Sequence, residues 1–453
     1  MSAGHRSTLR RLSALAGAKG VNALVAILRG KLTAVVLGPA GMGIGALLWS
    51  TASTIQQASG MGVNLSGVKE VASADGYDPT ATLRRLTLAT SLIAALATLL
   101  LAPWLSELTF GSGEWCEGFR WLSAGVFFTS LAAGEFTLLQ GRRMMQRLAR
   151  ASAAGAVAGL LPAVPLYIYM GTAGIVPSLI IAAAAQWASL RIAAGRTPDG
   201  SQHDRRLAWS MLRAGAVMMS SQLAAASVAW LLIVGVRYFG SVDTAGYYQA
   251  ANGTVLRATE VVFAAMSLDF FPAIAAVAAS NMRLRVAISR QTELAALIAA
   301  PMCMLLMLLA PLAVEVLLDR SFLAAVPLLR WLAFGAMLKA LAYPPGYVAF
   351  VKNNPRVFML METVGANLIE LLLPLGAYIA AALTRPAAFT PLEALGAGYC
   401  AAQLLTLVMY NIVNRRLYGI TPGRRALRYT MVATVAAAVL MCLLNSFKLF
   451  TEC

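Results

Sequence analysis

Apolar residues in this chain come in long blocks, and most charges sit in the breaks between them. A helix needs about 20 mostly apolar residues to cross a bilayer. That ruler predicts spanning segments at 15–37, 43–68, 86–106, 118–140, 149–170, 174–194, 210–238, 246–279, 291–318, 323–351, 357–383 and 393–414, with a thirteenth at 429–447. The first two are weakly hydrophobic and rich in Gly, Ser and Gln, as expected of segments that line a polar path rather than face lipid. All connecting loops are short, so no soluble domain is expected on either side.

The charges give the segments a direction. With the start of the chain placed in the cytoplasm, 25 of the bases fall on the cytoplasmic side. Only 4, namely Arg237, Arg320, Arg385 and Lys448, fall on the other. This is the asymmetry of the positive-inside rule, and a miscounted segment would scramble it. The net charge of +17 therefore reads as a topology signal rather than a nucleic-acid footprint. Composition agrees: of 453 residues 59% are hydrophobic and 12% charged, and mean hydropathy is +0.72. Soluble domains are about 25% charged. A soluble enzyme, a disordered chain and a fibrous one are excluded.

Little in the sequence points to covalent chemistry. The five cysteines form no C-x-x-C pair, and His5 and His203 are the only histidines, so a multi-histidine metal site is excluded. There is no P-loop and no G-x-S-x-G elbow. The basic start runs into a long apolar segment without a small-residue cleavage site, and reads as an anchor rather than a signal peptide. Glu107, Glu114 and Glu117 share one short external loop and read as solvated rim charges. No enzyme, metal or organic cofactor is expected.

The informative residues are charges at membrane depth, where each costs about 2.5–3.5 kcal/mol on insertion scales and needs a partner or a wet cavity. The bases are Lys19, Arg29, Lys31, Arg120, Arg257, Arg330 and Lys339; the acids are Glu135, Glu260, Asp269, Glu315, Glu362 and Glu370. Lys19, Arg120 and Arg330 lie near segment ends and can snorkel. Arg257 and Lys339 lie too deep for that. Arg257 and Glu260 are three residues apart and can meet on one helix face. Two readings stand. In one, bases and acids neutralise each other as structural pairs. In the other, Arg29, Lys31, Arg257 and Lys339, with Asn64, line a hydrated cavity for an anionic headgroup such as a diphosphate. Glu260, Asp269 and Glu370 are then the candidates for charge pairing or for coupling to an ion, a proton or sodium. Gln56, Gln57, Ser59, Ser220, Ser221, Gln222 and Ser227 suit either a sugar-lined path or interhelical hydrogen bonds. Pro344-Pro345, one turn after Lys339, reads as a bend that is either static or a hinge.

A faint repeat is visible. Leu37-Gly38-Pro39-Ala40-Gly41 follows the first segment, and Phe239-Gly240-Ser241 through Ala245-Gly246-Tyr247 follows the seventh. Two six-helix halves of the same orientation fit it.

Residues 30–41, Gly30-Lys31-Leu32-Thr33-Ala34-Val35-Val36-Leu37-Gly38-Pro39-Ala40-Gly41, resemble the segment 1–2 signature of Wzx-type flippases for lipid-linked oligosaccharides, in the multidrug/oligosaccharidyl-lipid/polysaccharide exporter superfamily. Gly60-Met61-Gly62-Val63-Asn64 and Gly67-Val68-Lys69-Glu70-Val71-Ala72 are similar to the end of the family's second segment. Asp269-Phe270-Phe271-Pro272 resembles an element of the eighth. Lys339-Ala340-Leu341-Ala342-Tyr343, Gly346-Tyr347 and Glu362 resemble the ten–eleven region. The nearest subgroup is that of O-antigen and enterobacterial-common-antigen translocases.

The resemblance implies an all-α polytopic membrane protein of twelve transmembrane helices in two six-helix lobes, V-shaped around a basic cavity. The lobes are expected at 1–194 and 210–416, with a cytoplasmic linker at 195–209. Residues 417–453 form an extra C-terminal helix that departs from the family pattern. The implied function is ion-coupled, alternating-access flipping of undecaprenyl-diphosphate-linked oligosaccharide from the cytoplasmic to the periplasmic leaflet of a bacterial inner membrane. The implied partners are a polysaccharide polymerase and a chain-length regulator, with no nucleic acid. The alternatives are a cation-coupled drug antiporter of the same superfamily and a membrane glycosyltransferase or polymerase.

Overall fold

The computed structural model describes residues 3–74, 77–197, 204–384 and 389–451; the side chains of residues 3–19, 217–218, 261–269, 271–272 and 447–451 lie outside that description. Among the described residues there are helices and turns and no strand. In lipid a spanning segment must satisfy its own backbone, and a helix does so within one segment.

Helix α1 runs over Ala3–Ser59. At about 1.5 Å per residue it is far longer than the ~30 Å hydrocarbon layer. A break at Gly38 divides it. Gly38 has φ 65° and ψ −165°, a conformation open essentially to glycine alone, and Pro39 follows it without an N–H. The two halves are the first two predicted segments. The second ends sooner than predicted, because a turn through Gly60, Met61 and Gly62 precedes a separate helix α2 (Val63–Ser73). That turn lies on the backbone of Gly215: a Cβ on Gly62 would stand 2.0 Å from the Gly215 carbonyl oxygen.

The chain continues through α3 (Thr80–Leu100), α4 (Ala102–Phe110), α5 (Cys116–Gly141), α6 (Met145–Met170), α7 (Ile175–Ala194) and α8 (Arg205–Phe239). Then come α9 (Val242–Ala276), α10 (Asn281–Leu308), α11 (Ala310–Leu317), α12 (Val326–Gly346), α13 (Val348–Val351) and α14 (Pro355–Phe358). A π-helical stretch, Met359–Ala366, leads into α15 (Asn367–Thr384), followed by α16 (Pro391–Tyr418) and α17 (Arg424–Thr451). Ten helical stretches of described residues are long and apolar enough to cross a membrane. Two of them, Gly20–Ser59 and Met145–Ala194, each hold two predicted segments. With α9 over the eighth segment, all thirteen predicted segments are helical.

The chain divides into two compact units, Met1–Trp230 and Leu231–Cys453. They share a repeat that hydropathy alone passes over. Leu101-Ala102-Pro103 ends α3 and starts α4; Leu309-Ala310-Pro311 ends α10 and starts α11. The proline lacks the donor that would continue the ladder, so segments predicted as single runs, 86–106 and 291–318, are each two helices in series. A 3₁₀ turn follows in both places, Gly113–Trp115 and Arg320–Ala325. The next helices carry Phe119-Arg120-Trp121-Leu122 through Gly125 and Leu329-Arg330-Trp331-Leu332 through Gly335. Order, breaks and sequence match in the two copies, as an internal repeat requires. In the second copy the break is also repaired: the Arg330 Nε donates to the Met307 carbonyl at 3.3 Å, the group that Pro311 leaves without a helical partner.

Each unit has its own apolar core. Val63, Leu83, Leu86, Leu138, Ala208 and Met211 cluster in the first; Phe270, Ile274, Leu284, Ile288, Val348 and Ile420 cluster in the second. Many large apolar side chains remain outward, among them Leu100, Leu161, Ile192 and Leu372, as a lipid-facing surface demands. Helix α17 packs along α10 through one face of small and flexible residues, Ala426, Ala433, Ala437 and Met441, while Val432, Val435 and Val439 face outward. Small residues at such a seam permit close helix contact in lipid.

Replacing Gly62 by Ala should destabilise the first unit by about 1–3 kcal/mol through overpacking alone. The expected readout is a lower unfolding temperature of the detergent-purified protein, whereas Gly20→Ala, at an open site, should leave it unchanged.

Candidate functional site

Buried charge in the first unit collects where α3, α5 and α7 meet near the arginine-rich loops. Glu135 on α5 is only 6% exposed. Arg84 on α3 grips it with two parallel hydrogen bonds, Nε to one oxygen at 2.9 Å and Nη2 to the other at 2.8 Å. Such forked pairs are among the strongest side-chain contacts. The Arg191 Nε lies 3.5 Å from the same carboxylate. Arg84 also donates to the Thr197 hydroxyl and the Gly195 carbonyl, both at 2.8 Å, so one side chain ties α3, α5 and the loop after α7. Beside it, the Arg142 Nη2 donates to the Thr80 hydroxyl at 2.6 Å and lies 3.6 Å from Asp78. Burial alone would raise the Asp78 pKa. The Thr80 hydroxyl and amide, with Arg142 and Arg84, outweigh that and hold the carboxyl below the usual carboxylate range.

In the second unit one polar position interrupts a closely packed helix. On α12 the residues Leu332–Leu338 and Ala340–Ala342 are all buried, yet the Lys339 side chain is 46% exposed. Its Nζ donates to both carboxylate oxygens of Glu370 on α15, at 3.0 and 3.1 Å. Tyr399 and Glu362 lie within electrostatic reach. Gly335, one turn before Lys339, has no side chain because the Tyr399 ring lies across it; a Cβ there would stand 2.3 Å from the ring. Glu362 sits in the π-helical stretch and accepts a hydrogen bond from the Tyr410 hydroxyl. Single-turn π geometry tends to mark functional positions. Helix α16 carries a buried polar stripe through Gln403, Thr406, Tyr410 and Asn414, of which the Gln403 Nε2 and the Asn414 Oδ1 have no hydrogen-bond partner.

The remaining sequence candidates fall in separate places. Arg29 is half-buried and donates to the Ser178 carbonyl of α7 at 3.4 Å. Lys31, two residues on, is exposed on a different face of α1. Asn64 is half-buried on α2, and its carbonyl accepts from Thr137 at 3.4 Å. Arg257 and Glu260 are both exposed on α9, and no ion pair joins them. Among the described residues Arg257 has no acidic partner. The Asp269 side chain lies outside the described residues. Sequence reasoning brought out Lys339 and Glu370 without pairing them. It counted Arg84, Arg142 and Arg191 among the cytoplasmic-side bases and so missed their clamp on Glu135 and Asp78. The one available signal was Glu135 itself, an acid within two turns of a strongly basic loop.

An all-helical chain with an internal repeat and charge confined to a few positions has the fold of solved membrane transporters. An inward-facing multidrug resistance transporter of the MATE family superposes with a TM-score of 0.71 at 15% identity, over 90% of this chain and 96% of that one. The lipid II flippase MurJ, inward closed, gives 0.67 at 11% identity, over 97% and 99%. A superfamily transporter from Pyrococcus furiosus, with a binding pocket of reverse polarity, gives 0.55 at 15% identity, over 90% and 92%. These identities establish a shared fold. The family model described as "Polysaccharide biosynthesis protein" matches residues 32–327, and the chain belongs to that family. No curated protein gives a significant sequence match. The chain is a multi-pass membrane protein.

Two outcomes follow from the clamp. Glu135→Ala leaves two guanidinium groups without their anion and should cost about 3 kcal/mol, read as a lower unfolding temperature in detergent. Asp78 has a lowered folded pKa, so its contribution to stability is present above the ordinary carboxylate range and drains as pH falls below about 4. Unfolding temperature against pH should therefore fall less steeply on the acid side for Asp78→Asn than for the wild type.

Proposed function

We propose that this chain is a flippase. Its cargo is an undecaprenyl-diphosphate-linked oligosaccharide, moved from the cytoplasmic to the periplasmic leaflet of a bacterial inner membrane for O-antigen or a related surface polysaccharide. The N-terminus lies in the cytoplasm, as the distribution of Arg and Lys requires. The observation that carries this reading is Arg257. It is a permanent cation deep in a spanning helix, exposed and with no acidic partner among the described residues, in a chain of the polysaccharide biosynthesis family. A guanidinium so placed needs an anion, and a diphosphate supplies one with matching forked geometry. Arg29, Lys31 and Asn64 serve the same cargo from the first unit.

Lys339 and Glu370 supply the coupling. While Glu370 is ionised it occupies Lys339. Uptake of a proton by Glu370 removes the counter-charge and frees the ammonium for the cargo's phosphate; departure of the cargo restores the pair. The protein forms and breaks no bond in the cargo and is not an enzyme. A polysaccharide polymerase and a chain-length regulator act on what it delivers.

The multidrug transporters of the same fold favour a second reading, cation-coupled drug export. Reconstitution separates the two. Proteoliposomes should deliver labelled polyprenyl-diphosphate sugar to the opposite leaflet at a rate raised by a proton gradient. Arg257→Ala should lower that rate at least tenfold with membrane insertion unchanged. Lys339→Arg should retain more activity than Lys339→Ala, and Glu370→Gln should lose the response to the gradient. Export of organic cations with no movement of the sugar lipid would establish the second reading.

A further inference from the structure

On the second unit a groove of about 500 Å³ lies between the end of α9 and the start of α10. Its floor is apolar: Phe270, Ile274, Val277 and Ala287. Met282, Val286 and Leu294 form an open flank, 70%, 60% and 42% exposed. Arg283, Arg290 and Gln291 supply its polar groups. Arg283 and Arg290 are seven residues apart, two turns along one face of α10, and both are exposed. Neither guanidinium has a protein acceptor among the described residues. This sets them apart from Arg84, Arg142 and Arg191 of the first unit, each of which is held by an acid.

The dimensions match one leaflet. From Arg283 to Leu294 the helix rises about 16 Å, roughly half of the ~30 Å hydrocarbon layer. Arg283 stands at the start of α10, nearest the basic loops, and Arg290 two turns further along, between Val286 and Leu294 of the apolar flank. Two unpaired cations over an apolar trough fit a ligand with a small anionic head and a hydrocarbon tail. Basic pockets between spanning helices take lipid phosphates in this manner. The polar lining is two guanidiniums and one amide, too little to recognise an oligosaccharide.

We infer that the groove between α9 and α10 is a binding site for an anionic glycerophospholipid, its phosphate held by Arg283 and Arg290 and one acyl chain lying along Val286 and Leu294. The inference rests on the membrane-spanning fold and not on the proposed cargo. A lipid bound there fixes the junction of α9 and α10 and adds to the stability of the second unit.

The test uses the full-length protein purified in detergent and titrated with phosphatidylglycerol or phosphatidylcholine, with bound lipid counted by native mass spectrometry and unfolding temperature followed in parallel. Phosphatidylglycerol should bind and raise the unfolding temperature, and phosphatidylcholine should do neither. Arg283→Gln with Arg290→Gln should weaken phosphatidylglycerol binding about thirtyfold, from the usual contribution of a base near a lipid phosphate. The double Lys variant should keep most of the affinity. Val286→Trp, which fills the trough and leaves both arginines in place, should also abolish binding. Equal response to the two lipids, or undiminished binding by the double Gln variant, would overturn the assignment. So would retention of a polyprenyl-diphosphate sugar, rather than phospholipid, at this site in protein taken from its native membrane.

Discussion

A charge held in a hydrocarbon layer must be neutralised, reached by water or matched by a ligand. The three outcomes divide this molecule. At the basic end of the first unit Glu135 and Asp78 are neutralised by Arg84, Arg191 and Arg142, and three helices are locked to one another in the process. In the second unit Lys339 is matched by Glu370 but stays half-exposed, so its partner can be exchanged. Arg257 has no acidic partner among the described residues. Exposure and pairing, rather than residue type, set these three cases apart.

How much of this was legible in the sequence depends on the range of the physics involved. The thirteen helices were, because lipid imposes a length and a composition on each segment separately. The breaks within segments 86–106 and 291–318 were not, because a hydropathy window averages over Pro103 and Pro311. Pairings were the least accessible. Lys339 and Glu370 are 31 residues apart on neighbouring helices, and Arg84 and Glu135 are 51 apart. Both contacts depend on which faces of which helices meet, and no local pattern encodes that. Arg257 and Glu260 show the opposite error: helical spacing permits a pair, and in the fold both are exposed and no ion pair joins them.

The lone Arg283 and Arg290 extend the same logic to the protein's edge. The positive-inside rule accounts for their being on that side of the membrane. It does not account for their standing over an apolar trough with no acceptor among the described residues, while Arg84, Arg142 and Arg191 of the first unit are each held by an acid. The same residue type holds helices together in one half and, in our proposal, holds lipid in the other.

The internal repeat sharpens the reading of Lys339. Aligned on Arg120-Trp121-Leu122 and Arg330-Trp331-Leu332, the two copies set Gly125 opposite Gly335 and Thr129 opposite Lys339. Thr129 is bonded within its own helix, to the Gly125 carbonyl at 2.8 Å, and carries no charge. The first unit is therefore built on the same frame without an ion pair at this point, so the architecture does not require one. Ion pairs drawn out of water are in any case poor sources of stability, since desolvation offsets most of the attraction. A lysine paired with a glutamate, at a position where the first unit has a threonine and on a helix otherwise packed with apolar side chains, is the feature on which the proposed coupling rests.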